Sequence, residues 1–165
     1  MSDILPQTRE ALENAGLEFE VMACDPTLAD TQAFCEHYDI PFANSANAIL
    51  IKSKKGDPQY TLCVLLATHR LDVNHCVRKK LGVKKVSFAS AEETQNLTGM
   101  EIGGVTPIGL PSDLPIWVDE DVTHCEYIIL GGGNRSSKLK VPPKTLLAMA
   151  GVELVTDLAN LFVIK

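Results

Sequence analysis

The sequence predicts an α+β domain on three observations: helix and strand signals alternate irregularly, a β-hairpin stands mid-chain, and no regular strand–helix–strand repeat of a doubly wound sheet is visible. With 165 residues, 45% apolar and 22% charged, the chain is long enough for one domain with its own core, spanning 1–165. Pro6 at the head of an Ala/Leu/Glu stretch and Gly16 at its end bracket a first helix. Leu17 to Val21 alternates like a half-buried strand, and a second helix is expected from about Asp30 to Tyr38. Ala48 to Lys52 and Tyr60 to Ala67, separated by Lys54-Lys55-Gly56-Asp57-Pro58, read as a hairpin with a basic turn. Asp72 can cap a helix running to Leu81, with His69-Arg70 at its entry and Gly82 as its stop; Val83 to Phe88 follows as a strand. Ser90 and Glu93 form a capping box, which opens a short helix to about Thr98. Ile116 to Val118 and Tyr127 to Leu130 are two more strands, and Pro142-Pro143 opens a final helix that Gly151 ends.

Composition excludes several classes. The longest apolar run, Leu62 to Ala67, falls far short of the roughly 18 residues a membrane span needs, and the start lacks the basic-then-apolar pattern of an export signal. A cytoplasmic location without a membrane partner is expected. Cys24, Cys35, Cys63, Cys76 and Cys125 are odd in number and form no Cys-x-x-Cys pair, which argues against a disulfide framework or a zinc site and for buried apolar roles. Net charge is −6, against a general nucleic-acid binder and against DNA as a partner. The charge is segregated, however. Residues 52 to 85 hold nine Lys/Arg against two acids, and residues 135 to 144 hold four against none. Brought together by the fold, these windows would make one basic face suited to a phosphate backbone; apart, they are ordinary solvated lysines.

Several residues tempt without a supporting pattern. His37, His75 and His124 have no partner at metal-ligand spacing, Trp117 sits in an apolar strand as core, and the consecutive acids Asp119, Glu120 and Asp121 are expected to diverge rather than share a cation. No metal site is expected.

Glycine is concentrated. Of eleven, seven fall in two loops, 99–109 and 131–133. Neither loop has the spacing of a known phosphate-binding motif. Spacing alone leaves open both a turn-rich connector and a cradle of bare amides for an oxyanion.

At these loops the chain resembles the YbaK/EbsC family, also called the ProX or prolyl-tRNA synthetase insertion-domain superfamily of aminoacyl-tRNA deacylases. The resemblance is carried by Leu81-Gly82-Val83-Lys84-Lys85-Val86, Thr98-Gly99, Gly103-Gly104-Val105-Thr106-Pro107-Ile108-Gly109, Val118-Asp119 and Gly132-Gly133-Asn134-Arg135. It implies a YbaK-like mixed, barrel-like sheet with flanking helices, and hydrolysis in trans of the ester on a mischarged tRNA. It further implies aminoacyl-tRNA as partner, admits an aminoacyl-tRNA synthetase, and calls for no cofactor. The resemblance places Gly103 and Gly104 as amide donors to the tetrahedral oxyanion, assisted by the substrate's ribose hydroxyl. Pro107 stiffens that bend, and Thr106, Gly133, Arg135, Met22 and Cys24 lie around the substrate. Asp119 orients a hydroxyl or the loop, and Arg70, Arg78, Lys79 and Lys80 contact the acceptor stem. One departure matters: the family's active-site lysine, just before an apolar strand, is Asn47 here, and Lys52, five residues on, falls on the opposite face. The other readings are a tRNA-end binding module that lost turnover with that lysine, and a small phosphate-ligand binder.

Overall fold

A computed structural model describes residues 3–111 and 113–162. The elements follow as α1 (Pro6–Asn14), β1 (Glu20–Ala23), α2 (Thr31–Tyr38), β2 (Ala46–Ser53), β3 (Tyr60–Leu66), β4 (His69–Leu71), α3 (Arg78–Leu81), β5 (Val86–Phe88), α4 (Ala91–Thr98), β6 (Ile116–Asp119), β7 (Ile128–Gly131), β8 (Ser137–Val141), α5 (Lys144–Leu147), β9 (Val152–Val155) and β10 (Ala159–Leu161). The predicted hairpin is β2 with β3, antiparallel, Asn47 opposite Leu65. It lies inside a mixed sheet ordered β5-β2-β3-β6-β9, in which β6 runs parallel to both β3 and β9. A second, antiparallel sheet runs β1-β8-β7, and β4 pairs with β10 in a ribbon. Among the described residues a parallel bridge from Ser45, just before β2, to Ile129 of β7 links the two larger sheets. The mixed sheet and flanking helices are as expected, but the strands stop short of a closed barrel among the described residues.

Period-two alternation builds the core on both faces of the central sheet. Leu62, Val64, Ile116 and Val118 pack toward Leu130 and Leu139 of the second sheet, while Cys63, Leu65 and Trp117 pack the other way, against Val77 and Leu158. With both faces covered, β3 has no wet side, which is why its sequence is an apolar run rather than an alternation. A third cluster, Cys24, Ala29, Phe34, Cys35 and Ile129, packs α2 on the outer face of the second sheet.

Helix α1 fixes the glycine loops. Pro6 occupies its first turn, where a missing amide hydrogen costs nothing. From that turn Gln7 Nε2 donates to the carbonyls of Gly109 at 2.7 Å and Thr98 at 3.1 Å, and Thr8 Oγ1 donates to Ile108 at 3.0 Å. The amide of Leu5 donates to Gly132 at 2.8 Å. The chain's first turn of helix therefore holds both loops in place.

Local signals located some elements and misplaced others. The capping box at Ser90 and Glu93 is present in full, and Gly82 ends α3 in the left-handed conformation. The helix expected from Asp72 begins instead as a π turn over Val73–Val77. His69 and Arg70 do not enter a helix; they are strand, paired with Leu161 and Asn160. The strand expected at Leu17 to Val21 lies at Glu20–Ala23, and that at Val83 to Phe88 keeps only its end. The last helix shrinks to Lys144–Leu147, while β8, β9 and β10 carry no expectation from sequence. β9 and β10 pair only with strands far along the chain, so a local pattern has little to show, whereas β8 pairs with the neighbouring β7 as well as with distant β1, and its Lys-Leu-Lys-Val alternation is a local signal.

Candidate active site

A cavity of about 300 Å³ opens between the start of β2, the bend at 102–105 and the end of β7. Ala48, Leu50, Val105 and Ile129 supply apolar wall; Thr31, Asn47, Gly103 and Lys138 supply polar atoms.

The two glycine loops are stitched into one body. The Gly133 amide donates to Gly104 O at 2.6 Å, and the Gly104 amide donates to Glu101 O at 2.9 Å. A Cβ on Gly104 would lie under 3.0 Å from three backbone atoms of Asn134, so glycine is there because the loops touch. The expectation that Gly104 offers a free amide is thus corrected: its hydrogen closes a turn. Gly103 differs. At φ +94 it holds a backbone shape that side-chain-bearing residues rarely adopt. The amides of Gly103 and Val105 donate to no acceptor among the described residues, and both residues line the cavity. Two main-chain donors two residues apart suit a developing oxyanion.

Asn47 lines the same cavity, its carboxamide oxygen accepting from the Thr31 hydroxyl. As expected from parity, Lys52 is elsewhere: it pairs with Glu93 at 2.7 Å. That lysine and the Ser90 amide hold the Glu93 carboxyl down at about 2. Arg135 sits beside the bend rather than in the cavity wall. Its guanidinium donates to Ile102 O at 2.8 Å and Pro26 O at 3.0 Å and lies 3.5 Å from Asp30, tying the segment before α2 to the loop. Lys138, 6% exposed, does reach the cavity. Its ammonium donates to Ala29 O at 2.7 Å and Gly103 O at 3.0 Å, and burial pulls its pKa below the usual lysine value. From sequence Lys138 counts as surface charge, and even as a strand residue it shares its face with Lys140, opposite Leu139; it is buried because the segment leading into α2 covers that face, with Ala29 O and the Phe34 ring on the ammonium.

Other candidates lie outside the cavity wall. Thr106 and Pro107 are buried behind the bend, the Thr106 amide meeting Met100 Sδ at 3.4 Å. Gly133 packs against Leu5. Met22 and Cys24 belong to the apolar cluster under α2, and burial pushes the Cys24 thiol up, so it stays protonated. Asp119 is at another place altogether. It is 1% exposed, and one carboxylate oxygen accepts from the Ala159 amide at 3.2 Å while the other has no partner; burial raises its pKa. Contrary to expectation, Asp119 and Asp121 converge. With His69 their ligand atoms lie within 4.8 Å of one another, the one such trio among the described residues, at the junction of β4, β6 and β10.

The two basic windows do not merge into one face. Residues 137–141 lie in the second sheet, whereas α3 covers the far side of the first. Lys80 pairs with Glu153 at 2.5 Å over the Trp117 ring, and Arg78 Nε donates to Asn74 O at 2.7 Å. Arg70 stacks 3.8 Å from the centre of the Phe162 ring in a groove that also includes Phe88. Phe88, 60% exposed, borders the cavity as well, so Arg70 is the basic residue whose groove adjoins the site.

A family model described as an aminoacyl-tRNA editing domain matches residues 25–149. The chain belongs to that family. The matched stretch contains the cavity, the bend, Arg135 and Lys138. Among curated proteins, an uncharacterized protein, YwhH of Bacillus subtilis (strain 168), is 28% identical over 134 residues, 81% of this chain and 80% of its own length. A protein of Enterococcus faecalis described as "Putative Cys-tRNA(Pro)/Cys-tRNA(Cys) deacylase EbsC" is 26% identical over 88 residues, 53% of each chain. Among solved structures, one described as a "putative trans-editing enzyme for prolyl tRNA synthetase" superposes with a TM-score of 0.77 at 25% identity, covering 93% of this chain and 98% of that one. The hypothetical protein APE2540 matches with a TM-score of 0.79 at 24% identity, covering 93% and 99%, and shares the fold. The editing family acts on aminoacyl-tRNA, and no described helix is long and apolar enough to cross a membrane.

Proposed function

We propose that this chain hydrolyses, in trans, the ester between a wrong amino acid and the terminal adenosine of a tRNA. The observation that carries this reading is the pair of amides at Gly103 and Val105, which find no acceptor among the described residues and belong to residues that line the cavity, in a member of the editing family. Water adds to the ester carbonyl and the carbonyl oxygen takes up negative charge against these two donors. Collapse then breaks the bond to the ribose oxygen, which leaves with the proton from water as its hydroxyl. The rigid bend supplies its part by being in place beforehand: Pro107 lacks a rotatable φ, and Gln7 and Thr8 clamp its far end. Arg135 holds the cavity's rim, and Asn47 donates its amide hydrogens to a ribose hydroxyl or phosphate. The RNA strand leaves past Phe88 into the groove of Arg70, where an unpaired base can stack. Arg78, Lys79 and Lys80 lie along α3 for the acceptor stem. The setting is the cytoplasm, with an aminoacyl-tRNA synthetase as the source of mischarged substrate.

Incubation with a panel of mischarged tRNAs, following released amino acid, tests this. At least one substrate is expected to be cleaved well above the buffer rate. Hydrolysis at the buffer rate for every substrate, with salt-sensitive tRNA binding retained, would instead establish the second reading, favoured by Asn47: an acceptor-end binding module without turnover. Stabilisation by free nucleotides without tRNA binding would point to the small-ligand reading.

A further inference from the structure

We infer that Lys138 is the cation of this site, supplying from β8 the charged donor that position 47 lacks; this rests on the deacylase reading above. Three observations carry it. Lys138 lines the same cavity as Asn47, so an ammonium arriving from a different strand serves the same space. Two of its three N–H donors are taken, by Ala29 O and Gly103 O, leaving one for a ligand oxygen. Third, one of those acceptors is the carbonyl of Gly103, so the lysine also fixes the peptide plane of the bend.

The surroundings explain why a charge is held there. Asp30 is the carboxylate beside Lys138, and it already lies 3.5 Å from Arg135. The remaining titratable neighbours, Cys24 and Cys35, are thiols whose pKa burial raises. At the ammonium itself, two cations face one carboxylate; the next carboxylate out, Glu101, accepts from the Arg135 amide at 3.3 Å. An ester oxygen gaining negative charge, or a phosphate, completes that balance. A neutral ligand does not. The Phe34 ring, 5.4 Å from the ammonium, backs it from the other side.

The experiment compares Lys138→Met, Lys138→Arg, Asn47→Lys and the Lys138→Met/Asn47→Lys pair in single-turnover deacylation, with thermal unfolding of each. Lys138→Met is expected to lose about 100-fold in rate, the scale of one oxyanion donor, and adding Asn47→Lys to Lys138→Met is expected to regain most of that loss. A structural lysine would show neither rescue nor a change in pH profile. The rate above the uncatalysed background is expected to fall on the alkaline side below the ordinary lysine pKa, and in Lys138→Arg that fall disappears, because a guanidinium keeps its charge. Should Lys138→Met fail to fold, this comparison of wild type with Lys138→Arg decides. Binding of an adenosine 5′-phosphate carrying its amino acid through a 3′-amide gives an arm without turnover, weakened about tenfold by loss of one charge-assisted hydrogen bond. Wild-type rate and binding in Lys138→Met, or an alkaline fall shared by wild type and Lys138→Arg, would overturn the inference. A wild type that binds the amide through Lys138 yet cleaves no ester would overturn the deacylase reading alone.

Discussion

Gly103 and Gly104 are adjacent in sequence and unlike in function, and alanine at each separates them. At Gly104 the new Cβ meets backbone: three atoms of Asn134 stand under 3.0 Å from it, in a loop whose Gly133 amide donates to Gly104 O at 2.6 Å. Neither partner can swing aside as a side-chain tip does, so the two loops must separate. Overpacking of this kind costs about 1–3 kcal/mol, and parting the stitched loops places Gly104→Ala toward the upper end. For a chain of this size that is a fall of about 6–12 °C in Tm. At Gly103 the obstacle is the Arg135 guanidinium, the far end of a flexible side chain, together with a positive φ worth about 1 kcal/mol. Gly103→Ala is expected to cost only about 2–4 °C while misaiming an amide in the cavity wall, with a loss of about 100-fold in deacylation. Thermal unfolding by circular dichroism and single-turnover deacylation below both melting temperatures are the assays. A Gly104→Ala protein with unchanged Tm and no activity would refute the assignment, because it would put the Gly104 amide, not its packing, in the reaction.

The remaining expectations are local. Glu93→Gln removes the partner of Lys52. Because the folded carboxyl titrates at about 2, below its unfolded value, the stabilisation it gives is present above pH 4.5 or so and is lost as pH falls toward 2. The wild-type advantage in Tm over Glu93→Gln should therefore shrink with acidification, and a constant difference would contradict the pairing. Asp119→Asn keeps an oxygen for the Ala159 amide and removes a buried charge. Deacylation is expected to stay at the wild-type rate, whereas a large loss would return Asp119 to the site. Arg70→Glu and Phe88→Ala are each expected to weaken tRNA binding at low salt, Arg70→Glu also flattening the salt dependence by about one charge; filter binding across a salt series reads both. Cys24→Ala should leave the deacylation rate unchanged, since its thiol packs under α2 away from the cavity.

Much of the fold was legible because its signals are local. Pro6 and Gly16 bracket α1, Ser90 and Glu93 close a capping box within four residues, and the hairpin turn lies between strands that pair with one another. Parity along β2 correctly separated Lys52 from Asn47. The strands β4, β8, β9 and β10 were hidden because their partners are distant or their composition is basic and short. The basic windows misled for the same reason: charge counted along a chain does not say which lysine faces inward.

The sequence by itself determined the family, the mixed α+β class and the presence of a glycine-rich bend near the working site, since each follows from residue identity at short spacing. Only the tertiary structure decided what each glycine and cation does. Two loops some thirty residues apart had to be brought into contact before Gly104 could be seen as packing, Gly103 and Val105 as open donors, and Lys138 as a buried ammonium beside Asn47. The physical reason is that hydrogen-bond availability and burial belong to pairs of atoms, and the partner in each pair here comes from another part of the chain.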